Sequence, residues 1–164
     1  MRAIAVVFVL ILLISLAAHG VAATEERYGY ITIQNVTVSL SNDSAIINVD
    51  YSVDEGTRII FFLLGKQDLK NKLYHILNYP NAQTRKISLD KAEFYVDKAA
   101  YSYGKGIYWY PSHEFNVVIP SLTIQSPQVT KTYSMTNSFP DGIGYFDDGN
   151  SNQKSTQPLN SEKK

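Results

Sequence analysis

Five aromatic side chains fall within ten residues, at Tyr101, Tyr103, Tyr108, Trp109 and Tyr110. Rings at that density have two chemical uses on a surface: they stack against the flat faces of sugar rings, or they anchor a contact with another protein. They also serve as a cross-strand ladder packed on a sheet. Gly104-Lys105-Gly106 separates two aromatic arms, so the segment reads as a hairpin. Strand alternation then places Tyr108 and Tyr110 on one face and Trp109 on the other. At least one of the two sets is expected to pack against the rest of the domain.

Residues with the types needed for catalysis are sparse. Beyond the amino-terminal segment there are two histidines. His75 falls within a helical pattern and reads as a surface or packing residue. His113, beside Glu114, follows a Pro111 turn and is expected to be exposed. Neither belongs to a zinc-protease, nucleophile-elbow or phosphate-loop motif, and a catalytic zinc normally takes three protein ligands where His113 and Glu114 supply two. Paired carboxylates are the other route to hydrolysis. Asp54 with Glu55 and Asp147 with Asp148 lie in turn or tail contexts, and Asp90, Glu93 and Asp97 alternate with Lys91 and Lys98 as a charged outer face would. Asp148, Asn150 and Asn152 resemble the start of a calcium loop, but Gln153 replaces the turn glycine and Leu159 the bidentate acid. No catalytic residue, metal or cofactor is expected. A small hydrolase using His113 or an acid pair such as Glu93 with Glu114 stands as an alternative.

Two sequons, Asn35-Val36-Thr37 and Asn42-Asp43-Ser44, are N-glycosylation acceptors if the chain is exported. Asn42 sits in a turn and is the better of the two. Export is read from the amino terminus. Met1-Arg2 gives a positive start, Ala3 to Ala18 is almost unbroken apolar sequence, and Val21-Ala22-Ala23 offers small residues for cleavage. Residues 1–23 therefore read as a signal peptide. An uncleaved anchor is the rival, because Ala3 to Ala23 is long enough to span a bilayer. Either way the remainder is expected outside the cytoplasm, touching membrane only through residues 3–23 if these are retained.

The whole chain of 164 residues carries 15 basic and 15 acidic residues and no cysteine. Neutrality gives no field for phosphate, so a nucleic-acid partner is not expected. The absence of cysteine excludes disulfides, thiolate metal sites and thiol catalysis. An exported domain of this kind rests on core burial and hydrogen bonding alone.

The elements that must position these residues are mostly strands. Ile31 to Leu40 alternates but changes phase, which predicts a bulge near Gln34–Asn35. Ser41 to Ser44 is a turn, and Ile47, Val49, Tyr51 and Val53 complete a hairpin. Asp54-Glu55-Gly56 reads as another turn, and Ile59 to Leu64, apolar throughout, as a central strand covered on both sides. Leu69, Leu73, Ile76 and Leu77 mark one face of a helix over 67–78, the single clear helix, expected to cover that strand. Short strands follow around Ile87, Ala92–Val96, Phe115–Ile119, Leu122–Ile124 and Val129–Met135. Phe139 to Phe146 reads as a packed, glycine-bearing loop, and residues 147–164 as a disordered polar tail. The sum is a single β-rich domain over 24–146. Its class is all-β shading into α+β, a sandwich-like or two-layer antiparallel sheet with one packed helix. The function expected is that of an exported, non-catalytic binding or structural module at the cell surface or secreted. Its partner is another surface protein or a glycan, and a carbohydrate-binding module using 101–110 is the more specific alternative.

Overall fold

The computed structural model describes residues 29–147; the signal segment, the calcium-like run and the tail from 148 onward lie outside them. Strands make up 58% of the structure, arranged in two sheets with two helices. β1 (Ile31–Ser41) and β2 (Ser44–Val53) form the predicted hairpin, and its register slips between Ile33 and Asn35, where the sequence changes phase. α1 (Glu55–Leu64) and α2 (Gln67–Leu77) follow, then β3 (Ala82–Ile87), β4 (Lys91–Val96), β5 (Tyr101–Gly104) and β6 (Ile107–Tyr110). β7 (His113–Gln125), β8 (Thr130–Phe139) and β9 (Ile143–Phe146) complete the described chain.

The larger sheet has the order β3-β4-β2-β1-β7-β8, antiparallel except where β1 runs parallel to β7. One face is apolar: Val36, Val38 and Leu40 of β1, Ile47, Val49 and Tyr51 of β2, Phe94 of β4 and Ile119, Leu122 and Ile124 of β7 are all buried. The opposite face carries Thr37, Ser39, Asn48 and Asp50, at least partly exposed. α2 closes over the apolar face through Leu69, Leu73, Ile76 and Leu77, all inaccessible to solvent. Each such side chain contributes about 1.5–3 kcal/mol by leaving water. The Tyr74 ring meets Phe94 edge-on at 5.3 Å and fixes the helix over β4. α2 stops where Asn78 turns left-handed, at φ 58°, and its N–H bonds the Tyr74 carbonyl; Pro80 cannot continue a helix.

Four expectations need correction. Ile59 to Leu64 is no central strand: it is the second half of α1, and Ile59, Ile60, Leu63 and Leu64 lie on the surface. A short apolar run has no period that separates strand from helix. Here Asp54, read as a turn residue, accepts from the N–H groups of Thr57 and Arg58 and begins a helix. The helix over 67–78 is thus one of two, and it covers the main sheet instead of that run. Pro120 does not end a strand either. β7 runs straight through it, because the residue across from it in register, Met135, is itself irregular with φ 50°. Finally, the predicted loop 139–146 contains β9, which pairs with β6, and Asp147 is buried and not part of a loose tail.

Candidate functional site

β5, β6 and β9 form the smaller sheet, in the order β5-β6-β9. Tyr101 stands opposite Trp109 and Trp109 opposite Gly144; in the next row Ile107 stands opposite Phe146. The inner face of this sheet belongs to the core. Tyr110 is buried, stacks on Phe139 at 5.7 Å, and shares a hydroxyl–hydroxyl hydrogen bond with Tyr79. Tyr108 is half-buried, stacks on Tyr145 at 5.6 Å, and donates to Asn42 Oδ1 at 3.4 Å. Tyr145 Oη donates to the Asn42 carbonyl at 2.5 Å, so the small sheet closes on the β1–β2 turn.

Asp147 makes that closure firm. Its Oδ2 accepts from Ser41 Oγ at 3.2 Å and from the Asn42 N–H at 2.9 Å, while its own N–H donates to the Gly106 carbonyl at 2.8 Å. Gln128, in the β7–β8 turn, clamps the other side: its amide donates to the Phe146 carbonyl and accepts from the Phe146 N–H. Nothing in the local pattern of residues 128 or 147 points to these roles; both follow from pairing distant in sequence.

The outer face is different. Tyr101 is 63% exposed, Tyr103 71% and Trp109 41%, with Ile107 and Phe146 also open to solvent. Among the described residues, no hydrogen bond is made by the hydroxyls of Tyr101 and Tyr103 or by the Trp109 indole. The indole rests against backbone that carries no side chains. A Cβ on Gly144 would lie 3.4 Å from Trp109 Cε3, and one on Gly142 only 2.7 Å from Cζ2. Gly142 also has φ +63°, which L side chains rarely adopt. Gly142→Ala is therefore expected to destabilise the fold by about 1–3 kcal/mol, read as a lower urea midpoint. An unchanged midpoint would show that neither the contact nor the backbone conformation is binding. Of the five aromatics in 101–110, the fold thus presents Tyr101, Tyr103 and Trp109 and takes in Tyr108 and Tyr110. It adds Ile107, two residues before Trp109 on the same strand, and Phe146, whose place opposite Ile107 depends on a β6–β9 pairing invisible in the local sequence.

Comparison with known protein families, curated proteins and solved structures finds no match.

The residues of the hydrolytic alternative are placed elsewhere. His113 is half-buried, where an exposed ring was expected. It stacks on Tyr79 at 3.7 Å, and Nε2 lies 2.8 Å from the Leu77 carbonyl, a partner that makes this nitrogen the donor. Burial pushes it below the ordinary histidine range, despite the hydrogen bond to Leu77 and the nearby Glu114 carboxylate. It lines a cleft of about 150 Å³ that Asp97 and Ser112 also line. Among the described residues, no hydrogen bond runs from Ser112 or Asp97 to the imidazole. Glu93 on β4 and Glu114 on β7 are separated by β2 and β1, three strand spacings or about 14 Å. That exceeds the separation used by glycosidase carboxyl pairs. Glu93 instead pairs with Arg85 at 3.8 Å, and Asp90 accepts from Ser88 Oγ at 2.7 Å, a bond that holds its carboxyl below the usual range. His75 is exposed on α2, where its carbonyl accepts from Asn116 Nδ2 at 2.7 Å. Asp54 and Glu55 open α1. Among the described residues, no three His, Asp or Glu side chains are grouped so as to hold a metal ion.

The two sequon asparagines also differ. Asn42 is exposed at the hairpin turn, with φ 50°. Asn35 is half-buried, and its Nδ2, the atom a glycan would join, donates to Thr37 Oγ1 and Asp50 Oδ2, each at 3.3 Å.

Proposed function

We propose that the protein is an exported, non-catalytic binding module that holds a glycan on the outer face of its small sheet. The observation that carries this reading is the exposure of Tyr101 directly opposite Trp109 on one pleated face, with Tyr103 exposed at the bulge that follows Ser102. Directly opposed rings such as Tyr101 and Trp109 stand about 5 Å apart. A sugar ring stacks its CH face on such a surface, and its hydroxyls meet the polar tips of the same residues. The two tyrosine hydroxyls and the indole N–H are the groups left for this. The amino-terminal segment, read as an export signal, puts the module where extracellular glycans are found.

Binding of the full chain to a panel of soluble and insoluble polysaccharides tests the proposal. Trp109→Ala is expected to weaken binding about tenfold, from a stacked ring face worth about 1–1.5 kcal/mol. Because the indole also packs on Gly142 and Gly144, the unfolding midpoint of each variant is measured alongside, and binding is compared at a temperature where both proteins are folded. The reading fails if the parent binds no polysaccharide in the panel, or if Trp109→Ala and Tyr101→Ala both bind as the parent does.

A further inference from the structure

We propose that α1 lies in the interface of a lipid bilayer, as the membrane-facing side of a domain tethered by residues 3–23. The proposal rests on the reading of that segment as a retained membrane span. Three observations point the same way.

The first is the composition of the exposed face. Ile59, Ile60, Leu63 and Leu64, at i, i+1, i+4 and i+5, form a continuous aliphatic stripe on a ten-residue helix. Leu63 is 73% exposed and Leu64 83%. Four large aliphatic side chains left wet on one helix face are an interaction surface, not scattered exposure. The inner side of α1 is already used, through Phe61, which is buried against the Tyr30 ring at 5.0 Å.

The second is where the chain arrives. Tyr30 is seated at the junction of α1 and α2: its hydroxyl donates to Asp68, Lys72 Nζ lies 3.8 Å above its ring, and its carbonyl accepts from the Asp54 N–H at 3.2 Å. Six residues, 24–29, separate Ala23 from Tyr30, a reach of at most about 25 Å. If Ala3 to Ala23 spans a bilayer, Tyr30, against which Phe61 of α1 packs, is held within about that distance of the lipid surface. Among the described surface, this apolar stripe adjoins the very point from which the tether leaves.

The third is the cleft beside the stripe. Tyr30, Ile60, Phe61 and Leu64 line a cavity of about 350 Å³ that opens next to the helix. It offers an apolar recess for an acyl chain displaced by the helix. A short amphipathic helix lying about 5–10 Å into the headgroup boundary needs no length to cross the membrane; no helix among the described residues is long and apolar enough to do so.

The natural absence of cysteine makes the test direct. The full chain carrying Leu63→Cys, labelled with an environment-sensitive fluorophore, is reconstituted into phosphatidylcholine–phosphatidylglycerol vesicles and compared with the same chain labelled through Met135→Cys on β8. The label at 63 is expected to be bleached by an aqueous reductant about tenfold more slowly than the label at 135, and to be quenched by spin-labelled lipid. Adding Ile59→Glu restores fast bleaching. Equal bleaching at the two positions in membrane-retained protein overturns the docking of α1. Protection that rises with the protein-to-lipid ratio overturns it in favour of a second copy of the chain. Extraction of the protein by carbonate, or a purified amino terminus at Thr24, overturns the tether on which the proposal rests and leaves the glycan reading standing.

Discussion

Tyr110→Ala is expected to cost about 3–5 kcal/mol, as truncation of a fully packed aromatic does. Tyr110 is buried on the inner face of β6, stacks on Phe139, and meets Tyr79 through its hydroxyl. Its neighbour Trp109 points the other way, so Tyr110 ties the proposed ligand face to the core. A loss of that size is a large share of the 5–15 kcal/mol that domains possess. Tyr110→Phe separates the two contributions. It keeps the ring and removes one hydroxyl, leaving that of Tyr79 buried without its partner, at about 1–3 kcal/mol. Urea unfolding of the three proteins gives both numbers. If Tyr110→Ala unfolds at the parent midpoint, the small sheet is not coupled to the main core through this residue.

The second large effect is alkaline unfolding. Burial raises the pKa of Tyr30, Tyr51, Tyr79 and Tyr145, and pushes Tyr110 up to about 12. In the unfolded chain these hydroxyls ionise near the ordinary value of about 10. Below that pH both states keep their protons, and the whole contribution is present. Between pH 10 and 12 the unfolded state loses protons that the folded state holds, so stability falls as pH rises. Tyr110 alone removes about 3 kcal/mol across that window, and the other four add to the slope. The expected result is a cooperative rise in tyrosinate absorbance that coincides with loss of the strand signal in circular dichroism. Titration complete before about pH 11 with the sheet intact would mean that these hydroxyls are accessible.

Strand alternation made much of the candidate site readable in advance. The glycine-centred hairpin, the division of Trp109 from Tyr108 and Tyr110, and the β1 bulge all follow from a period of two. So does the α2 face from a period near four. What escaped was whatever depends on partners far along the chain. Ile59 to Leu64 has the composition of a buried strand, but the backbone acceptor at Asp54 starts a helix that carries it onto the surface. β9 holds one glycine, Gly144, and follows another, Gly142, which is needed bare because the Trp109 indole would lie 2.7 Å from its Cβ. Asp147 begins a polar run, but its carboxylate belongs to a turn 105 residues earlier. None of these has a local signature, since each is decided by the surface it meets.

The parallel pairing of β1 with β7 has a consequence for how the molecule is made. Val36 waits for Leu122, and the strands between them belong to either sheet. While the chain is being synthesised, β1 and β2 are available early, but the middle of the large sheet stays open on one side. Unpaired backbone groups in that position recruit other strands, and contacts this remote in sequence form slowly. A chain halted before His113 would hold a four-stranded half-sheet with a bare internal edge. The centre of the large sheet is thus completed only when a single thirteen-residue strand, β7, reaches β1, and a chaperone that shields β1 until then is expected to raise the yield of a chain made slowly.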